Sequence, residues 1–155
     1  MNDSETCTSC QGTGYDAIRE AQCHCALGWQ PVKIDQTVLG IGNPRGNCLQ
    51  ACLATVLSLT LDETIDVTAP EVDPDAWHIV LYEWGLERGY YIRSQREQPV
   101  GYCIAIGPTV RKNGLHAVVF ADGETYHDPH PSRDGLTRVR YFLNIKAIRK
   151  ELGHE

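Results

Sequence analysis

The spacing of apolar residues changes along the chain and predicts helices first and strands afterwards. Residues 32–39 begin with apolar–polar alternation, which predicts a strand, and the glycine-rich residues 40–46 predict a loop. Residues 47–59 have helical spacing, with Asn47 as N-cap and Gln50 reaching back to it as in a capping box. The predicted buried stripe of this helix is Leu49, Cys52, Leu53, Val56 and Leu57.

The rest of the chain turns from helical to strand-like patterns. Thr60–Glu63 predicts a short helix start, and residues 75–88 predict a long helix that Gly89 ends. Strands are predicted at 90–93, 102–106, 116–121, 124–127 and 139–143, with a terminal helical turn at 145–152. Asp122-Gly123 is a strong hairpin turn signal. Helices followed by antiparallel strands predict an α+β fold.

Composition limits the kinds of protein that fit. The chain has 155 residues, 42% hydrophobic and 22% charged, which suits one globular domain. A net charge of −6 and the absence of a Lys/Arg run argue against nucleic acid as a partner. No apolar run reaches the ~20 residues that a membrane helix needs. The acidic, polar start is unlike a signal peptide, so we expect a cytoplasmic protein without membrane contact.

Residues 1–30 form a separate segment that contains four cysteines and little apolar periodicity. Such a segment needs a staple, and in the cytosol thiols are more often metal ligands than disulfides. Two close pairs suit a structural zinc site, with iron–sulfur binding and an unstructured tail as alternatives. The predicted ligands are Cys7, Cys10, Cys23 and Cys25, with His24 as a possible replacement. The first pair, with the glycines after it, resembles one CxxCxGxG unit of the J-domain chaperone zinc region.

Residues 31–155 contain a candidate nucleophile at a helix start. Cys48 follows the predicted N-cap, where backbone N–H groups and the helix dipole favour a thiolate and can also donate to an oxyanion. Cys52, one turn later, lies inside the helix and is expected to pack in the core. The alternative is that both are small buried hydrophobes, as most free cysteines are.

A base and its orienting carboxylate are predicted downstream. His116 begins an apolar strand, and a two-residue turn at Asp122-Gly123 places position 129 opposite it, so Asp128 is a register neighbour. A carboxylate there would fix the imidazole tautomer and stabilise its charged form. The alternatives are a structural histidine and a strand that simply ends at Asp-Pro. A metal site of Asp128 with His127 is disfavoured, because adjacent strand residues face opposite sides; His130 can line the cleft instead.

Residues 36–57 and 102–136 together resemble papain-like cysteine peptidases. The closest likeness is to bacteriocin-processing peptidases and to small phage and bacterial proteins with a Gly-Asn-Cys helix and a His-Asp-Pro-His-Pro-Ser segment. The resemblance implies that Cys48 is the nucleophile, His116 the base and Asp128 its orienter. It also implies an oxyanion glutamine about six residues before the cysteine, where this chain has Gly42. Gln36 is the candidate in its place, with the fallbacks Asn43 and Asn47.

Three hypotheses about function follow from these residues. The first is a cysteine hydrolase, most simply a peptidase with a peptide or protein substrate, that works through an acyl-enzyme. The second is a zinc-anchored module that binds a peptide or protein in the same cleft without chemistry. The third gives the same triad to acyl transfer or deamidation, which the sequence cannot distinguish from hydrolysis.

Overall fold

The structure is a computed structural model, and it describes residues 15–16, 21–22, 30–39, 46–111 and 114–148. This described part contains two helices, α1 (Cys48–Leu57) and α2 (Trp77–Arg88). Its strands are β1 (Tyr15–Asp16), β2 (Ala21–Gln22), β3 (Tyr90–Gln95), β4 (Cys103–Pro108), β5 (Leu115–Ala121), β6 (Glu124–His127) and β7 (Tyr141–Ala147). The predicted α+β class is confirmed. The four cysteines and His24 of the predicted zinc site lie outside the described residues, so that site and its boundary at residue 30 stay predictions.

The main sheet is antiparallel throughout and has the strand order β3-β7-β4-β5-β6, while β1 and β2 pair separately. Strand β7 is the last strand of the described residues but lies between β3 and β4. Its apolar residues meet apolar partners on both neighbours, Ile145 with Ile92 and Leu143 with Ile104. The prediction of a helical turn from Ile145 is therefore wrong over 145–147, and residues 149–152 lie outside the described part.

Both faces of the sheet bury apolar side chains. The larger core lies between the sheet and the helices, where Leu53 of α1 and Ile104 of β4 are fully buried. On the opposite face, a second cluster consists of Cys103, Ala105, Val118 and Phe142. Apolar residues on successive positions of β4 and β5 therefore reflect a strand that is covered on both sides.

The β5–β6 hairpin follows the predicted turn but contains an irregularity. Asp122 and Gly123 both have positive φ, 52° and 80°, as a type I′ turn requires. Phe120 pairs with Thr125 as that turn dictates, yet the next paired residues are Val119 and His127. A β-bulge thus adds one residue to β6 just before the strand ends.

The predicted helix starts at Asn47 and at Thr60 differ from the structure. The predicted capping box at Asn47 and Gln50 is wrong, because Asn47 makes no side-chain cap hydrogen bond and its Nδ2 donates to Gln50 Oε1 at 3.0 Å. Gln50 Nε2 instead donates to the carbonyls of Leu61 and Thr64, at 2.9 and 3.1 Å. The predicted short helix at Thr60–Glu63 is also wrong, since the backbone there makes only turn hydrogen bonds, from Glu63 to the Thr60 carbonyl and from Thr64 to the Leu61 carbonyl.

The predicted strand at residues 32–39 is also wrong, since these residues form an irregular segment. Its backbone donors bond to side chains and loops: the Ile34 N–H donates to Thr55 Oγ1, and the Gln36 N–H donates to the Pro129 carbonyl. Val32 at its start is 74% exposed. The short apolar–polar alternation could not indicate that the hydroxyl of Thr55 in α1 bonds to the backbone of this segment.

In the part of the chain that the structure describes, neither helix has the length and apolar character needed to cross a membrane.

We predict that Gly107→Ala destabilises the fold. A Cβ at position 107 would lie 2.0 Å from the Arg138 carbonyl oxygen, so the chain at 138–140 would have to move away from β4. Overpacking of this kind costs about 1–3 kcal/mol in the free energy of unfolding. Urea denaturation would measure it, with Val110→Ala as control because Val110 is 62% exposed. An unchanged midpoint for Gly107→Ala would contradict the close packing.

Candidate active site

The structure places Cys48 at the first position of α1, as the spacing predicts, with a free and half-buried thiol. Because Asn47 does not cap the helix with its side chain, the first N–H groups of α1 are not occupied by it. Cys52 is fully buried one turn later, and burial together with the nearby charges of Cys48 and Asp128 raises the pKa of its thiol well above the ordinary value. Of these two thiols, only Cys48 lines an open cavity.

His116 lies on strand β5 and lines the same cavity as Cys48 of α1. It is the second residue of β5, pairs with Gly107 across the sheet, and is 5% exposed. Its Nε2 lies 2.7 Å from Asp128 Oδ1, and the Cys48 side chain lies close enough to the ring to affect its pKa. Since Nε2 is engaged with Asp128, Nδ1 is the nitrogen left for the thiol.

Asp128 follows the end of β6 and is held from several directions. Besides His116, its carboxylate accepts backbone N–H groups from His130, at 2.9 Å to Oδ1, and from Gly135, at 2.8 Å to Oδ2. Burial alone would raise the pKa of this carboxyl, but the bonds to His116, His130 and Gly135 outweigh it and lower the pKa to about 2. The carboxylate is therefore charged at neutral pH.

The pKa of His116 moves in the complementary direction. Burial would lower it, but the hydrogen bond to Asp128, the adjacent Cys48 side chain and the charges of both residues raise it to about 9. An imidazolium between a carboxylate and a thiol can stabilise a thiolate and later donate its proton. The three groups thus have the arrangement that nucleophilic thiol chemistry requires.

Gln36 lines the same cavity as Cys48, although residue 42 stands where a glutamine was expected. Its side chain is buried, and Nε2 donates to the Val38 carbonyl at 2.7 Å, which leaves the second Nε2 hydrogen for another acceptor. Its Oε1 has no hydrogen-bond partner in the described part of the chain.

The fallback at Asn47 does not fit an oxyanion donor, because its amide is fully used. Oδ1 accepts the N–H groups of Thr37 and Val38, and Nδ2 donates to Thr37 Oγ1 and Gln50 Oε1, all at 2.8–3.0 Å. Asn47 instead ties the segment that holds Gln36 to the start of α1. Asn43, the other fallback, lies outside the described residues.

A second polar network next to the site was missed by sequence reasoning. Arg133 donates from Nη1 to Asp35 Oδ1 at 2.7 Å, from Nη2 to Asp35 Oδ2 at 3.0 Å, and from Nη1 to the Asp128 carbonyl. His127 Nε2 lies 3.1 Å from both the Ile34 carbonyl and Asp35 Oδ1. The contacts with Ile34 and Asp35 join residues more than ninety positions apart, so no local spacing could indicate them.

The histidines around Asp128 do not gather as metal ligands. His127 contacts Asp35, while Asp128 contacts His116. The two neighbouring side chains therefore point to opposite sides, as alternation along a strand predicts. Among the described residues no group of three or more His, Cys, Asp or Glu side chains is arranged to hold a metal ion. His130 lines the cavity, its ring centroid 6.1 Å from that of His116.

The cavity in front of Cys48 has a volume of about 430 Å³. Its wall is largely apolar, with polar groups at Gln36, Cys48, Arg111, His116 and His130. The main apolar contributors are Leu39, Leu49, Val67, Trp77, Ile106, Leu115 and Tyr141. A concave apolar site with a few converging polar groups is typical of a small-ligand or substrate site.

Comparison of the chain with protein-family models, with curated proteins and with solved structures found no match in any of the three.

We predict that Asp128→Asn moves the titration of His116 from about pH 9 towards its ordinary pH of 6.5, because the carboxylate charge is lost. NMR titration of the ring protons would measure this, with Asp134→Asn as the matched control. The free energy of unfolding of the wild-type chain should also depend on pH through His116 and Asp128. The His116 contribution is complete below pH 6.5 and disappears as pH rises through about 9. The Asp128 contribution is present above pH 3.8 and disappears as pH falls through about 2. An unchanged His116 titration in the variant would contradict the pairing.

Proposed function

We propose that the chain is a cysteine hydrolase of papain-like fold, most simply a peptidase, that acts through Cys48, His116 and Asp128. The observation that carries the proposal is the buried hydrogen bond of 2.7 Å between His116 Nε2 and Asp128, with the Cys48 thiol close to the same ring. The thiol stands at a helix start and opens into a cavity. Cys48 lies on a helix, His116 on a later strand, and Asp128 in the loop after the strand that follows. This order also supports the papain-like assignment.

In this proposal Cys48 attacks the acyl carbon of an amide as thiolate, and the carbonyl oxygen becomes an oxyanion. The N–H groups at the start of α1 and the free Nε2 hydrogen of Gln36 donate to that oxygen. His116 gives its proton to the leaving amine, which departs and leaves an acyl-enzyme. A water molecule then loses a proton to His116 and attacks the acyl carbon, which releases the acid and restores the Cys48 thiolate beside a protonated His116. Asp128 keeps the imidazole oriented throughout.

The zinc site at Cys7, Cys10, Cys23 and Cys25 remains a prediction with a structural role. No step of the proposed reaction depends on it.

We predict that Cys48→Ala abolishes hydrolysis of a peptide-library substrate and the iodoacetamide label on peptides covering residue 48. Cys52→Ala is the matched control, since Cys52 is fully buried and should keep both properties apart from lost stability. Mass spectrometry of the digested protein separates this site from the other cysteines. Activity that survives in Cys48→Ala would exclude Cys48 as nucleophile, and labelling of Cys48 that depends on pH like that of a free thiol, without hydrolysis, would favour the binding module.

We predict that Gln36→Ala lowers kcat about 100- to 1,000-fold, as expected for loss of one oxyanion donor. The rate of Cys48 alkylation should change little, because alkylation forms no oxyanion. A parallel loss of both rates would mean that Gln36 acts by holding the fold.

A further inference from the structure

The cavity in front of Cys48 has a charge opposite to that of the chain. The chain has 20 acidic and 14 basic residues, yet the described residues that line the cavity include Arg111, His116 and His130 and no Asp or Glu. His116 is engaged with Asp128 and Cys48. Arg111 is the permanent positive charge in the wall.

Arg111 is held in place by the loop that follows Asp128. Its Nη1 donates to Ser132 Oγ at 2.8 Å and lies 3.4 Å from Asp134 Oδ2, and its backbone N–H donates to Thr109 Oγ1 at 3.2 Å. The Asp134 side chain is 41% exposed and lies outside the cavity wall, so its long contact with Arg111 is a rim ion pair. The Nε–H of Arg111 is buried and has no acceptor in the described part of the chain.

His130 adds a second donor next to this guanidinium. Its Nδ1 accepts the backbone N–H of Ser132 at 3.0 Å and lies 2.8 Å from Ser132 Oγ. Because Nδ1 is an acceptor, the neutral ring carries its proton on Nε2. Burial and the charges of Arg111 and His116 lower the pKa of His130, which keeps the ring neutral.

We propose that Arg111, with His130 beside it, binds a carboxylate of the substrate, so that the substrate is a peptide with an acidic group near the bond that Cys48 attacks. The inference deepens the proposed hydrolase function. A planar guanidinium in the cavity wall presents paired N–H donors that suit a carboxylate, and the largely apolar wall around it offers few competing polar groups. The apolar residues Leu49, Val67 and Trp77 would receive a neighbouring apolar group of the same substrate.

The carboxylate can come from two sources, the C-terminus of a short peptide or the side chain of an acidic residue. The test uses alkylating probes that react once with Cys48 and need no turnover. N-bromoacetyl-glycine has a terminal carboxylate, N-bromoacetyl-glutamic acid α-amide has only a side-chain carboxylate, and N-bromoacetyl-glycinamide is neutral. Rates are followed by mass spectrometry on the peptide that contains Cys48.

We predict that the wild-type chain reacts faster with at least one anionic probe than with the neutral probe, and that Arg111→Gln lowers this preference roughly tenfold. Arg111→Lys should keep part of it, since the charge remains and the bidentate geometry is lost. The matched control is Arg93→Gln, which removes the same charge from an exposed position on β3 outside the cavity and should leave the preference unchanged. Thermal melting would verify that each variant is folded.

The anionic probe that reacts faster identifies the source of the carboxylate. No anionic preference in the wild type, or a preference that Arg111→Gln and Arg111→Lys both leave intact, would overturn the carboxylate site. The result is independent of the hydrolase proposal, because alkylation does not report turnover. A protein with the preference but without hydrolysis would keep the binding site and refute only the reaction.

Discussion

The buried hydrogen bond between His116 and Asp128 is the interaction on which the rest of the site depends. A carboxylate away from water is costly unless its oxygens are bonded, and here His116 and the N–H groups of His130 and Gly135 bond both of them. That requirement explains why the chain after β6 turns back so tightly around one side chain. The charge of Asp128 in turn keeps a proton on the imidazole that contacts Cys48.

The segment before α1 is positioned by the same loop. The Gln36 N–H donates to the Pro129 carbonyl, and Asp35 forms a bidentate ion pair with Arg133. The side chain of Asn47 accepts the backbone N–H groups of Thr37 and Val38. These bonds bring Gln36 to Cys48 although no regular strand lies between them. A local segment without secondary structure is therefore as firmly specified as the sheet, through side chains that are distant in sequence.

Sequence patterns predicted the parts of the molecule that depend on local chemistry. The α1 start near Cys48, the Asp122-Gly123 turn and the α+β class all follow from residue type and spacing within a few positions. The turn also predicted that Asp128 lies near His116, but it gave no sign of the bulge that sets the side Asp128 faces. The strand at residues 32–39, the terminal helical turn and the capping role of Gln50 were wrong, because partners more than ten residues away decide these states. Arg111, Arg133 and Asp35 had no local signal for the same reason.

The bulge in β6 has an evolutionary consequence. Strand side chains alternate between the two sides of a sheet, so one additional residue before the strand end exchanges the sides of everything that follows it. His127 and Asp128 face their present partners only with that one additional residue in place. Related chains that keep this site should therefore vary the length of the β5–β6 hairpin by even numbers of residues. Odd changes would have to be taken up in the turn itself or by the loss or gain of a bulge.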